Sequence, residues 1–234
     1  MLWPWRRNLR AYPFYQAAAT CHAGPVICES ESMNDKTTYD HIIEAADRLF
    51  YQQGYEHTSF SDIAHAVQIS RGNFYHHFKA KDEILNAVIE RRLVNTRAML
   101  AQWENEGTRP EERIGSFIHM LIGNRAKIKL YGCPVGTLCS ELAKLDHPSK
   151  ADANKLFTLF RTWLRKQFVL LGCKANADEL AMHLLARSQG VAMLASAFQD
   201  EKFIKQEVQQ MLDWLRSCTE SPRSARRDER ESRQ

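Results

Sequence analysis

The chain has 234 residues, 44% of them hydrophobic and 26% charged, with a formal net charge of +4. That apolar content can bury a real core in one or two domains. The small net charge excludes a strongly basic, nonspecific nucleic-acid coat, and no apolar run approaches the length of a membrane helix. Glycine and proline are few, strand-like alternation is scarce, and apolar residues recur three and four apart, which predicts an all-α fold.

Residues 1–32 contain Trp3-Pro4-Trp5, Arg6-Arg7 and several prolines, but Pro13 and Gln16 split the best apolar run, so they do not read as a secretory signal. They are expected to be a disordered or mis-assigned extension, with Met33 as the natural start; a basic, aromatic arm touching a minor groove is the alternative. A first helix is predicted over about Tyr39 to Gln53, with Ile42, Ala46, Leu49 and Phe50 on one face and Gly54 just past its end.

Thr58 to Leu85, TSFSDIAHAVQISRGNFYHHFKAKDEIL, is the most informative stretch. Thr58 is expected to cap a short helix whose inward residues are Ile63, Ala64 and Val67. Ser70 is expected to cap a second helix carrying Arg71, Asn73, Tyr75, His76 and His77. Ile69, Phe74 and Phe78 would anchor that second helix from behind and leave its polar and aromatic residues facing outward, as a major-groove reader requires. Arginine offers a bidentate fork to guanine and asparagine pairs with adenine, while a tyrosine hydroxyl, an imidazole or a lysine holds phosphate.

At Thr58, Ile63-Ala64, Ile69-Ser70-Arg71-Gly72, Tyr75-His76-His77-Phe78 and Lys81 the segment resembles the TetR family of transcriptional regulators. The resemblance implies that Tyr75, His77 and Lys81 grip phosphates while Arg71, Asn73 and His76 face the bases. The chain departs from the family pattern at Val67-Gln68, where Ala-Gly is usual, and at Ala80, where a small polar cap is usual. Without glycine's freedom at positive φ, Gln68 implies a mildly strained turn or a different one. Residues 33–85 carry five Lys/Arg against eight Asp/Glu, so bulk charge does not mark this unit as a DNA binder. The cations Arg71, Lys79 and Lys81 instead cluster on the proposed docking edge.

A further helix is predicted from about Lys81 to Glu106, its first turn carrying Asp82 and Glu83 at the positive helix end. Gly107-Thr108-Arg109-Pro110 ends it. From Glu111 the chain is helical and more apolar, with Ile114, Phe117, Ile118, Leu121 and Ile122 inward, interrupted at Tyr131-Gly132-Cys133-Pro134 and again at Asp146-His147-Pro148. Long helices follow over about Ser149 to Leu171, Asp178 to Gln199 and Glu201 to Ser217. The middle one is apolar on nearly every side, so a second layer or a partner chain must cover it.

The resulting architecture is an N-terminal three-helix helix-turn-helix DNA-binding domain, 33–85, and a larger helical ligand-binding and dimerisation domain, 86–218. A charged tail, 219–234, is expected to be disordered. Gly190, Ala192, Ala195, Ser196 and Ala197, with the stripe Ile204, Val208, Met211, Leu212 and Leu215, suit a four-helix homodimer interface through the last two long helices. Two-fold symmetry then predicts a palindromic operator in double-stranded DNA. Phe117, Met120, Leu121, Phe160, Trp163, Leu164, Phe168, Met182 and His183 form the candidate pocket for a small-molecule effector, with plain core packing as the alternative.

The six cysteines show neither metal spacing nor a disulfide framework, which suggests a reducing cytoplasm. No metal site or cofactor fingerprint appears, so neither is expected. Cys133, at a helix start between Gly132 and Pro134, is a candidate thiolate. Gly-Cys-Pro-Val-Gly at 132–136 is similar to a motif at the corresponding break in a TetR subgroup, which implies redox or electrophile sensing as an alternative mode. A thiol enzyme pairing Cys133 with His147 or His183 has little support, and a protein partner in place of DNA is a third possibility. A repressor released by its effector is the family's common mode.

Overall fold

The structure is a computed structural model that describes residues 37–231; for Arg71 and residues 219–231 it describes the backbone alone. The expected N-terminal extension lies outside the described residues. Ten α-helices and no strand occur among the described residues.

Helices α1 (Thr38–Gln53), α2 (Phe60–Val67) and α3 (Arg71–His77) make the small head. Each starts at a hydroxyl cap. Thr37 closes a capping box with Asp40, Ser59 closes one with Asp62, and Ser70 accepts a hydrogen bond from the Asn73 amide. The cap of α2 is therefore Ser59 and not Thr58. Thr58 is fully buried and donates its hydroxyl to the Gly54 carbonyl at 2.6 Å, closing the α1–α2 loop.

The α2–α3 turn passes through Gln68 at φ 59° and ψ 38°, the left-handed conformation that glycine usually supplies. The strained version of the turn is the one adopted. Ile63, Ala64, Phe74 and Phe78 are buried behind α2 and α3, with Val67 and Ile69 packed against them.

Helix α4 (Lys81–Glu106) has the predicted limits and runs from the head into the second domain, packing on α1 and on α8. Its start lacks a side-chain cap from Ala80, and Glu83 compensates by accepting from the Lys79 amide at 2.8 Å. Helix α5 (Pro110–Gly123) follows Gly107 and opens on proline, whose missing N–H costs nothing at that position. The helix expected to continue to Tyr131 divides at Asn124, where ψ is 6° and the side-chain amide bonds the Met120 carbonyl at 2.9 Å. This produces a separate α6 (Arg125–Tyr131).

Gly132, at φ 76°, ends α6, and α7 (Pro134–Lys144) begins behind Cys133. Helices α8 (Lys150–Leu170), α9 (Ala177–Phe198) and α10 (Glu201–Glu231) complete the bundle, with α8 on α9 and α10 on α5. Helix α10 continues beyond the predicted end near Ser217 into the segment expected to be a disordered tail. One hydrophobic core joins head and bundle through Ile84, Leu85, Val88, Ile89 and Leu93 of α4, then Trp103, Phe117, Phe160 and Phe168.

Two stability predictions follow from these local features. A left-handed non-glycine residue costs roughly 1–2 kcal/mol and glycine's extra unfolded-state entropy about 0.5–1 kcal/mol, so Gln68→Gly is expected to be neutral to stabilising by up to about 1 kcal/mol in urea unfolding. A clear destabilisation would contradict the strained-turn account. Asp40 is held below the ordinary aspartate range by the Thr37 hydroxyl and then by Arg91. Its contribution to folding is thus complete above the unfolded aspartate pKa of about 3.9 and is lost as pH falls below that value. Accordingly, Asp40→Asn should lower the thermal midpoint at neutral pH and converge on wild type in acid; a gap that widens in acid would be inconsistent.

Candidate functional site

The outward face of α3 is the first candidate surface. Phe74 and Phe78 point into the core at 1% and 3% exposure, which turns Asn73, Tyr75 and His76 outward. Tyr75 is 49% exposed and stacks on Phe60 of α2 with ring centroids 5.5 Å apart. His76 and His77 meet edge to face, His77 being half-buried. Ser70 is exposed and serves as the cap; the Arg71 side chain lies outside the described atoms. Lys79 is exposed on the same edge and donates to the Tyr75 carbonyl. A shallow recess of about 200 Å³ runs along the α2–α3 seam beside Phe60, Ser61 and Tyr75. Phe60 and Ser61 were not foreseen, although Phe60 directly follows the capping serine.

Two expected contact residues are committed elsewhere. Thr58 presents no surface. The Lys81 ammonium donates to the carbonyls of Tyr55 at 3.0 Å and Glu56 at 3.4 Å and sits 4.1 Å above the Tyr55 ring. With three donors in all, it keeps one for any outside partner.

The α1–α2 loop that Lys81 holds is also held from the second domain. Glu141 of α7 accepts from the Tyr55 amide at 2.9 Å and the Glu56 amide at 3.0 Å, one carboxylate oxygen to each. A side chain on Gly54, at φ 92°, would strike Glu141 at 2.9 Å, so glycine is required there. Tyr55 donates its hydroxyl to Asp82 at 2.5 Å and packs edge-on against His147. Burial and then Asp82 push the Tyr55 phenol pKa well up, so it remains a donor. Tyr51 donates to the Gly132 carbonyl at 2.7 Å, and Arg92, 2% exposed, donates to Asp47 and to the Pro134 carbonyl, each at 2.6 Å.

The second candidate is a cavity of about 50 Å³ inside the bundle. Phe117, Met120, Leu121 and Phe160 of the expected set line it, together with Asn124, Ile128, Cys133, Pro134, Val135, Phe157, Leu185, Ser188 and Gln189. Trp163, Leu164 and Phe168 do not line it but fill the core, Trp163 against Trp103 and Phe168 against Trp214. Met182 and His183 also lie outside the cavity, exposed on the outer side of α9, with His183 against Trp214. A helix apolar on most sides conceals which stripe faces inward, and that is why these two were misplaced. The Cys133 sulfur accepts from the Gly136 amide at 3.4 Å. Neither His147 nor His183 belongs to the Cys133 cavity, so the Cys-His pairs considered for catalysis are not assembled. No cluster of metal-ligating side chains occurs among the described residues, and no described helix is long and apolar enough to cross a membrane.

A capped two-helix unit with a buried back and a polar, aromatic front, carried by a long helix into a separate bundle, defines a helix-turn-helix DNA-binding transcription regulator. Residues 42–88 match the profile of bacterial regulatory proteins of the tetR family. A helix-turn-helix transcriptional regulator of Lactococcus lactis is 28% identical over 73% of this chain and 89% of its own length. The transcriptional repressor DhaR of a Mycobacterium strain is 23% identical over 65% of this chain and 79% of its own. The crystal structure of a TetR transcriptional regulator from Legionella pneumophila superposes with a TM-score of 0.70 at 26% identity, covering 78% of this chain and 98% of that one. Over the head, and in fold over most of the bundle, the chain is thus similar to TetR-family transcriptional regulators.

Glu141→Gln leaves one oxygen to serve two amides. Loss of a charge-assisted bond predicts destabilisation of about 1–3 kcal/mol, together with faster hydrogen exchange at the Tyr55 and Glu56 amides. Unchanged exchange there would show that Glu141 does not hold the loop.

Proposed function

We propose that the chain acts as a homodimeric repressor that binds a palindromic operator through paired α3 helices and is released by a small effector bound in the second domain. The observation that carries the DNA part is the division of α3 into a buried aromatic back and an exposed front of Asn73, Tyr75 and His76. Asn73, His76 and Arg71 are assigned to base edges, and Tyr75, His77 and Lys79 to phosphates. Lys81 orients the α1–α2 loop and offers its remaining N–H to the backbone.

Dimerisation is supported by the outer face of α9. Met182, Ala186, Gly190, Met193, Leu194, Ala197 and Phe198 recur three and four apart on one exposed stripe, with Met193 72% and Phe198 75% exposed. A row of that kind on a monomer marks an interaction surface, and a second α9–α10 pair would cover it. The free thiols of Cys133, Cys139, Cys173 and Cys218 suit a reducing cytoplasm.

One observation favours a second mode of release: Cys133 lines the cavity. Alkylation of its thiol would place new bulk there without any reversible effector. If this mode operates, N-ethylmaleimide lowers operator affinity in wild type and not in Cys133→Ser; equal loss in both proteins would exclude it.

Selection from a random duplex pool tests the DNA assignment. Wild type should enrich a palindrome that Tyr75→Ala fails to retain, and Asn73→Ala should lose about 1–3 kcal/mol at particular bases only. Absence of any enriched sequence would move the assignment to a protein partner. For the dimer, Met193→Lys with Phe198→Glu should lower the sedimenting mass from twice 27.1 kDa to 27.1 kDa with helicity retained. A dimer that survives both charges would place the interface elsewhere.

A further inference from the structure

Two thiols 45 positions apart in the chain meet at one end of the bundle. Cys173 lies in the tight turn between α8 and α9, flanked by Gly172 at φ 96° and by a single 3₁₀ turn, Lys174–Asn176. Its amide bonds the Phe168 carbonyl at 3.1 Å, which fixes the turn to the end of α8. Cys218 stands on α10, and the Cys173 thiol donates to the Cys218 carbonyl at 3.9 Å. Both cysteines are half-buried and neither is bonded to another sulfur. Neither lines the cavity that holds Cys133.

Packing sets this register. Trp214, one helical turn before Cys218, meets Phe168 of α8 edge to face with centroids 6.1 Å apart and His183 of α9 at 4.7 Å. Leu215, next to it, is buried. Helix α10 cannot slide along α8 and α9 without breaking these contacts, so Cys218 stays beside the turn. Burial pushes both thiols up, and the neighbouring Cys173 pushes Cys218 further. A disulfide spans about 4.4–6.8 Å between Cα atoms, and a Cys173 sulfur in contact with the Cys218 main chain is within that reach after side-chain rotation.

We propose that Cys173 and Cys218 are a reversible disulfide site, which a low-molecular-weight disulfide such as oxidised glutathione converts into an intrachain bridge stapling α10 to the α8–α9 turn. The thiolate of one cysteine attacks the glutathione disulfide, forming a mixed disulfide and expelling one glutathione thiolate. The thiolate of the other attacks the protein sulfur of that mixed disulfide and expels the second glutathione. In all, the two protein thiols give up two protons and two electrons, and one glutathione disulfide becomes two glutathiones. In a reducing compartment the pair rests as thiols, and a bridge there is a transient response to oxidation. Bridging closes a loop that contains all of α9 and restricts the unfolded chain, which stabilises the α9–α10 pair. It requires neither DNA nor an effector.

The full chain is treated with oxidised glutathione, blocked with iodoacetamide, digested with trypsin without reductant and mapped by mass. Residues 167–174, QFVLLGCK, should appear joined to residues 217–223, SCTESPR, and should separate after dithiothreitol. On a denaturing gel without reductant the oxidised protein should keep the mass of one chain. Its thermal midpoint should lie roughly 4 °C or more above that of the reduced protein. Cys173→Ser and Cys218→Ser should each lose both the joined peptide and the rise. Two peptides that stay separate, whether unmodified or glutathionylated, overturn the site, as does a join to another cysteine or to a second chain. A joined peptide without a higher midpoint overturns the staple. The peptide map is read on the wild-type protein, so it decides even where a serine variant fails to fold.

Discussion

A buried guanidinium holds the two halves of this protein in register. Arg92 lies in the middle of α4, 2% exposed, with Asp47 of α1 on one side and the Pro134 carbonyl at the start of α7 on the other. Placing such a charge in the interior costs several kcal/mol, offset only while its partners stay in place, and removal of one partner typically costs about 3–5 kcal/mol. The head cannot swing on α4 as a free hinge, because α1, α4 and the α6–α7 break meet at this one side chain. Glu141 adds a second tie at the α1–α2 loop and Tyr51 a third at Gly132. These three contacts tie the head, and with it α3, to the bundle.

Much of the fold was legible because it rests on short-range chemistry. The limits of α4 are marked by acids after Lys81 and by Gly107 before a proline, and both ends fall where predicted. The cap of α2 was misplaced by one residue, although the signal was present: Ser59 has Asp62 three positions on, the capping-box spacing, whereas Thr58 has Ser61. The division of α5 from α6 left almost no mark, since Asn124 interrupts an apolar period that otherwise continues.

What could not be read were contacts between polar groups far apart in the chain. Glu141 meets residues 55 and 56, and Tyr51 meets residue 132, and neither pairing leaves a local pattern. Arg92 did leave one. It occupies the buried stripe that includes Leu85, Val88, Ile89, Thr96 and Trp103, and a charge at a core position demands a partner. The reverse error occurred on α9, where Met182 and His183 were assigned to the inside; apolar periodicity cannot distinguish a face covered by the same chain from one left open on it.

These features combine into a compact division of labour. In the proposed reading, the front of α3 supplies recognition and the stripe on α9 supplies symmetry. The stoichiometry of the complex tests the central claim, a two-fold DNA reader, most directly. Sedimentation of the protein with a duplex carrying the selected palindrome should give two chains per duplex at modest salt, with binding much weakened when one half-site is scrambled. One chain per duplex, or equal binding to the scrambled duplex, would contradict it.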